Sequence, residues 1–195
     1  MSVRSYGHWG RPVLAFPSEG GDASEFEDRG MVDAVGELLA AGRIKLYCVD
    51  GAHERYESWI VDEVVPYIHD DCRGVQDVIV TGVSLGAFRA ANFALTRADL
   101  FPLAVCLSGV YGPLEWVSGL GGDHLDWLRS RLSVLLVCGQ GQWEDTTGAL
   151  ESTRHFGWLL DSAGIRCEVD LWGYDVAHDW PWWRAQLAHH LPRFC

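Results

Sequence analysis

The sequence predicts an α/β fold: one doubly wound domain over residues 1–195, with a mostly parallel central sheet and helices on both faces. Three observations carry this. Apolar runs recur along the chain, helical patterns separate them, and most runs are continuously hydrophobic rather than alternating. Strand and helix in alternation build a sheet through crossover connections. A strand covered on both faces needs apolar residues at successive positions. The 195 residues, with no internal repeat, low-complexity stretch or linker, suit one domain with a substantial core.

The elements follow in chain order. PVLAF (12–16) reads as a strand, after which Phe26, Met31, Val35, Leu38 and Leu39 recur at helical spacing until Gly42, which can stop the helix. IKLYCVD (44–50) is the next strand. It precedes a helix marked by Tyr56, Ile60, Val64, Tyr67 and Ile68, where Pro66, lacking an N–H, must kink the helix or shift its frame. DVIVTG (77–82) leads into a helix marked by Leu85, Phe88, Asn92 and Leu95. LAVCLSG (103–109), LSVLLVCG (132–139) and CEVDLW (167–172) complete the sheet. Phe156, Leu159 and Leu160 mark one more helix, and the segment from Pro181 to His190 another. The one sizeable excursion, YGPLEWVSGLGGDHLDWLRS, is too short for a full cap domain, so an open site is expected.

Composition narrows the function. A net charge of −12 with no Lys/Arg-rich run repels phosphate backbones and anionic lipid, so neither nucleic acid nor membrane is expected as a partner. MSVRSYGHWGRPV has no apolar leader segment, and no run approaches the roughly 18 residues of a spanning helix. A soluble, cytoplasmic chain is expected. Cys48, Cys72, Cys106, Cys138, Cys167 and Cys195 form no C-x-x-C, and several lie inside strand-like runs, so they read as reduced thiols. Neither H-E-x-x-H nor G-x-x-x-x-G-K-[ST] occurs, so no metal and no cofactor are expected.

Ligands of such sheets bind beyond the carboxyl ends of the strands. There lies Gly82-Val83-Ser84-Leu85-Gly86, between a strand and a helix. Composition alone can produce Gly-x-Ser-x-Gly, so its context is what gives it weight. A sharp strand-to-helix turn would hold Ser84 in a strained conformation, leave no room for side chains at 82 and 86, and aim helix N–H groups above the hydroxyl. A serine hydroxyl needs a base. Of eight histidines, His178 follows the last strand, whereas His8, His53, His69, His124, His155, His189 and His190 precede strands or sit on helices and loops. The acid that orients the imidazole is sought in Glu144 and Asp145, adjacent residues whose side chains must diverge; Glu144 is favoured and Asp145 is the alternative. Oxyanion donors are expected from the backbone N–H of Leu85 and from Glu19 or Ser18 in PSEGG. Ten tryptophans are many for this length. Trp116, Trp127, Trp143 and Trp180, with Tyr111, are expected as an aromatic substrate wall.

At these residues the chain resembles the esterase D-like branch of the α/β hydrolases, which includes feruloyl esterases, S-formylglutathione hydrolases and mycolyltransferases. The segments that carry the likeness are GVSLGAFRAANFAL, DLFPLAVCLSG and above all HDWPWWR (178–184), similar to the His-Asp-Trp-Pro segment of feruloyl-esterase modules. The resemblance implies an α/β-hydrolase fold, with Ser84 as nucleophile, His178 as base and an acid within GQGQWED, where extra residues separate Gly139 from the carboxylates. It implies a cofactor-free serine hydrolase cleaving carboxylic esters, of small-molecule or conjugated substrates, through an acyl-enzyme. Acyl transfer by the same machinery and a catalytically silent binding protein are the alternatives.

Overall fold

The computed structural model describes residues 2–52 and 54–195. Among the described residues seven strands form one sheet: β1 (Val3–Tyr6), β2 (Arg11–Phe16), β3 (Ile44–Val49), β4 (Ile79–Val83), β5 (Leu103–Leu107), β6 (Ser133–Cys138) and β7 (Arg166–Leu171). Their order is β1-β3-β2-β4-β5-β6-β7, all parallel except β1, which runs antiparallel to β3 at the edge. The six runs read from the sequence are the six parallel strands. The antiparallel β1 was not expected, because VRSY is short and only half apolar.

Alternate residues of each strand feed two separate cores. Leu14, Phe16, Tyr47, Val49, Val80, Ala104, Cys106, Val134 and Leu136 face one side. Val13, Ala15, Leu46, Cys48, Ile79, Val105, Leu107, Leu135 and Val137 face the other. A period of two on strands buried on both faces sends successive apolar side chains to opposite layers.

Helices cover both layers. The stretch read as one helix over Phe26 to Leu39 is three: α1 (Glu25–Asp28), α2 (Met31–Ala34) and α3 (Gly36–Ala40). The break has a cause in Gly30, which takes φ 71° and ends the helical run after Arg29. Phe26, Met31, Val35, Leu38 and Leu39 are buried all the same, in the second core. Helix α4 (Tyr56–Trp59) passes into a π-helical turn, Ile60–Val64, and then α5 (Val65–Asp71). The widened turn is the frame shift that Pro66 demands, since a proline cannot donate to the carbonyl four residues back. Helix α6 (Leu85–Thr96) packs its Ala87, Ala90, Ala91 and Ala94 into the first core. A 3-10 stretch, Gly112–Gly119, and α7 (Gly122–Arg131) lie against that core through Leu114, Val117, Leu125 and Leu128, so the excursion flanks the sheet. Helices α8 (Gln142–Thr146), α9 (Ala149–Ser162) and α10 (Trp180–His190) follow, with α10 packed on the second core beside α2.

All six cysteines are free; Cys48, Cys106 and Cys138 are buried. Burial pushes the Cys138 thiol up to about 12 and the other two higher still, which keeps them protonated and inert. Among the described residues, no helix is long and apolar enough to cross a membrane.

Candidate active site

Four neighbouring strand ends deliver the polar residues. At the end of β4 the chain turns sharply into α6, and Ser84 takes φ 54° and ψ −118° at the corner. Two glycines make the corner possible. A Cβ on Gly82 would overlap the backbone of Gly86, and a Cβ on Gly86 would overlap the Phe16 carbonyl at the end of β2. The helix therefore approaches both strands more closely than any side chain permits, and Ser84 projects at its start, half-buried.

Beyond β6, α8 carries Glu144, which has no exposed surface. The phase of that short helix follows from Gly141, where a Cβ would stand 2.6 Å from the Val176 carbonyl and 2.8 Å from that of Tyr174. Close approach there seats α8 under the loop between β7 and α10, and this loop carries His178. The imidazole Nδ1 lies 2.8 Å from Glu144 Oε2 and its Nε2 lies 3.1 Å from Ser84 Oγ. An ionised carboxylate only accepts hydrogen bonds, so Nδ1–H donates to Glu144 and Nε2 is left to accept from the Ser84 hydroxyl. That tautomer is the one able to take the serine proton. Asp145, one residue on, is exposed on the other side of α8.

Two buried residues that the sequence reading did not single out complete the arrangement. Ser108, at the end of β5, donates to Glu144 Oε1 at 2.5 Å and accepts from Trp183 Nε1 at 3.0 Å. The Gly139 N–H adds a longer bond to the same Oε1, 3.4 Å. Trp183 also stands edge-on to His178, with ring centroids 4.8 Å apart and planes at 84°. Ser108 does follow an apolar run in LAVCLSG, so its position at a strand end was a visible signal. What Trp183 touches was not.

The expected oxyanion donors, Leu85 and either Glu19 or Ser18, fare differently. Leu85 is the first residue of α6, where a backbone N–H has no partner within the helix. The Ser18 N–H instead donates to Glu25 Oε2 at 2.7 Å, while its hydroxyl donates to Oε1 at 2.6 Å. This removes Ser18 as an oxyanion donor, because its N–H is already spent on a carboxylate; Glu19 is the candidate that remains.

The expected aromatic wall is only partly present. Trp143 is 65% exposed beside Glu144, and Trp116 is 40% exposed. Trp127 packs against the first core next to His124. Trp180 stacks edge-on against Trp183 at 4.9 Å, under the Arg29 guanidinium. Tyr111 is buried and stacked on Phe156 at 4.7 Å, and lines a cavity of about 240 Å³ together with Glu115 and His155. Tyr111 is a correction to the expectation, since its ring is buried against Phe156, while Trp127 and Trp180 are half-buried and give part of each ring to packing. His53 lies outside the described residues.

A family model described as "Putative esterase" matches residues 21–194. Among solved structures, a ferulic acid esterase superposes with a TM-score of 0.77 at 20% identity, covering 95% of this chain and 85% of that one. Mycobacterium tuberculosis MPT51 gives 0.77 at 13% identity, with 98% and 91% covered. S-formylglutathione hydrolase from Staphylococcus aureus gives 0.67 at 17% identity, with 96% and 82% covered. The fold shared with these proteins is that of the α/β hydrolases. No curated protein sequence matches the chain.

Proposed function

We propose, for a chain that belongs to the esterase family and is thereby a carboxylic ester hydrolase, that catalysis runs through a covalent acyl-enzyme on Ser84. His178 serves as general base and then general acid, and Glu144 orients it. One observation carries the reading: Ser84, His178 and a fully buried Glu144, brought from separate strand ends, form an unbroken hydrogen-bonded chain with links of 3.1 and 2.8 Å. A strained backbone at Ser84 costs about 1–3 kcal/mol and persists where a site depends on it. That argues for a working nucleophile over a silent binding protein.

Each step uses groups already in place. Ser84 Oγ attacks the ester carbonyl carbon as its proton passes to His178 Nε2. The imidazolium so formed is stabilised by Glu144 through Nδ1–H. The carbonyl oxygen, now an anion, accepts from the Leu85 N–H and from that of Glu19. Collapse of the tetrahedral adduct breaks the ester C–O bond, and His178 returns the proton to the departing alcohol. Water, deprotonated by the same Nε2, then attacks the acyl carbonyl; Ser84 Oγ leaves with that proton and the acid is released. The exposed Trp143 beside Glu144 supports an acyl or aryl group packing at the rim, in an open site reached by small or conjugated esters. Ser84→Ala tests the core of the proposal: hydrolysis of 4-nitrophenyl acetate and labelling by a fluorophosphonate should both disappear with the thermal midpoint unchanged. Turnover surviving in that variant overturns it.

A further inference from the structure

Ser108 holds on β5 the place that Ser84 holds on β4. Val83 and Leu107 are register partners, a serine follows each, and both serines take a positive φ, 54° and 52°. Each continues the ladder by donating its N–H to the next strand, Ser84 to the Leu107 carbonyl at 2.9 Å and Ser108 to that of Val137 at 2.8 Å. At Ser84 the strained corner projects a hydroxyl outward. At Ser108 it projects one inward, where the residue has no exposed surface. Glycine would occupy φ 52° without strain, so what a serine adds at this corner is its hydroxyl.

The direction of that hydroxyl is forced. An indole N–H donates and cannot accept. Trp183 Nε1 points at Ser108 Oγ from 3.0 Å, so the Ser108 proton must lie elsewhere, and Glu144 Oε1 at 2.5 Å takes it. With Oε1 held there, the carboxylate plane is fixed and Oε2 faces His178 Nδ1. The same indole bounds the His178 ring from the side.

We propose that Ser108 and Trp183 are positioning residues of the ester-cleaving reaction. Trp183 sets the Ser108 hydroxyl, Ser108 sets the Glu144 carboxylate, and the carboxylate holds His178 square to Ser84. Neither touches substrate. The proposal rests on the Ser84–His178–Glu144 reading, and its test separates the two.

Ser108→Gly removes the hydroxyl and relieves the backbone, so the fold is retained. With 4-nitrophenyl acetate its kcat should fall about 10- to 100-fold, the loss of one charge-assisted hydrogen bond, with KM unchanged. Trp183→Phe keeps a ring against His178 while freeing the Ser108 rotor, and should lose kcat by a smaller factor. In a Glu144→Gln background Ser108→Gly should cost nothing further, because the group it positions is already gone. A merely structural role predicts equal losses in both backgrounds, and that result overturns the proposal. So does a kcat for Ser108→Gly within about twofold of the parent. Should Ser108→Gly fail to fold, an unchanged kcat for Trp183→Phe overturns it instead. If Ser84→Ala is silent while Ser108→Gly is unimpaired, only this proposal falls; if Ser84→Ala still turns over, the reading beneath it falls.

Discussion

Exchanging Glu144 for glutamine alters one atom and sets a donor problem that the buried site cannot solve. The carboxylate now accepts on both oxygens, from Ser108 and Gly139 at Oε1 and from His178 at Oε2. A carboxamide has one acceptor and one donor end. With its oxygen toward Ser108 and Gly139, its NH2 meets Nδ1, which must then shed its proton. The imidazole becomes the other tautomer, Nε2 carries the hydrogen, and nothing remains to accept from Ser84. With the amide reversed, NH2 opposes the Gly139 N–H, and the Ser108 hydroxyl cannot turn to Trp183 because that partner also only donates. The first orientation therefore prevails. A wrong tautomer costs about 10⁴ in kcat in a well-studied triad, roughly 5 kcal/mol of transition-state stabilisation. Initial rates on 4-nitrophenyl acetate should thus fall by three to four orders of magnitude in Glu144→Gln, while Asp145→Asn, altering an exposed side chain, stays within about threefold. Equal losses in the two variants, or a loss of less than about tenfold in the first, would refute the reasoning.

Two further outcomes follow from residues outside the hydrogen-bonded chain. Gly86→Ala places a Cβ on the Phe16 carbonyl and 2.6 Å from that of Pro17, so α6 must retreat from β2. Overpacking of this kind costs about 1–3 kcal/mol, a fall of roughly 3–10 °C in thermal midpoint, and displacement of the Glu19 loop should lower kcat as well; a midpoint equal to the parent's contradicts the packing account. His190 is buried in α10, and burial lowers its proton affinity by more than Asp170 Oδ2, 2.9 Å from Nε2 but off the line of a hydrogen bond, can raise it. The unfolded chain then binds this proton at higher pH than the folded one, so stability should decline as pH falls below about 6.5. His190→Leu should flatten that decline in urea midpoints taken between about pH 8 and 5.5, and an unaltered slope would assign it to other groups.

The parallel sheet was legible because continuous apolar runs have few other uses in a chain of this length. β1 was not: VRSY buries little and owes its extended form to pairing with β3. Periodicity placed Phe26 to Leu39 on a core-facing surface correctly but could not see Gly30 adopt φ 71° and divide the segment. The choice between Glu144 and Asp145 stood open because adjacent residues on a short helix differ only by its rotation, and that rotation is set by Gly141 against a loop more than 30 residues later. Ser18 was lost to Glu25 through a side-chain-to-backbone bond with no sequence signature. Tyr111 and Trp127 illustrate a limit of composition: many tryptophans and tyrosines near a strand end say nothing of which way each ring turns.

The paired corners at Ser84 and Ser108 also bear on how freely the rest of the molecule can change. Adjacent strands in a sheet stand about 4.8 Å apart, a spacing fixed by backbone hydrogen bonds and indifferent to side chains. Ser84 and Ser108 are set on that ruler one division apart, by the ladder itself. The excursion between β5 and β6 lies outside the ladder and sets neither mark, whereas the loop across Tyr174 is tied to the site, since it carries His178 and its carbonyls meet Gly141. The spacing of the two serines is therefore set by the sheet, and the segments that bring His178 and Glu144 must meet corners that stay where the ladder put them.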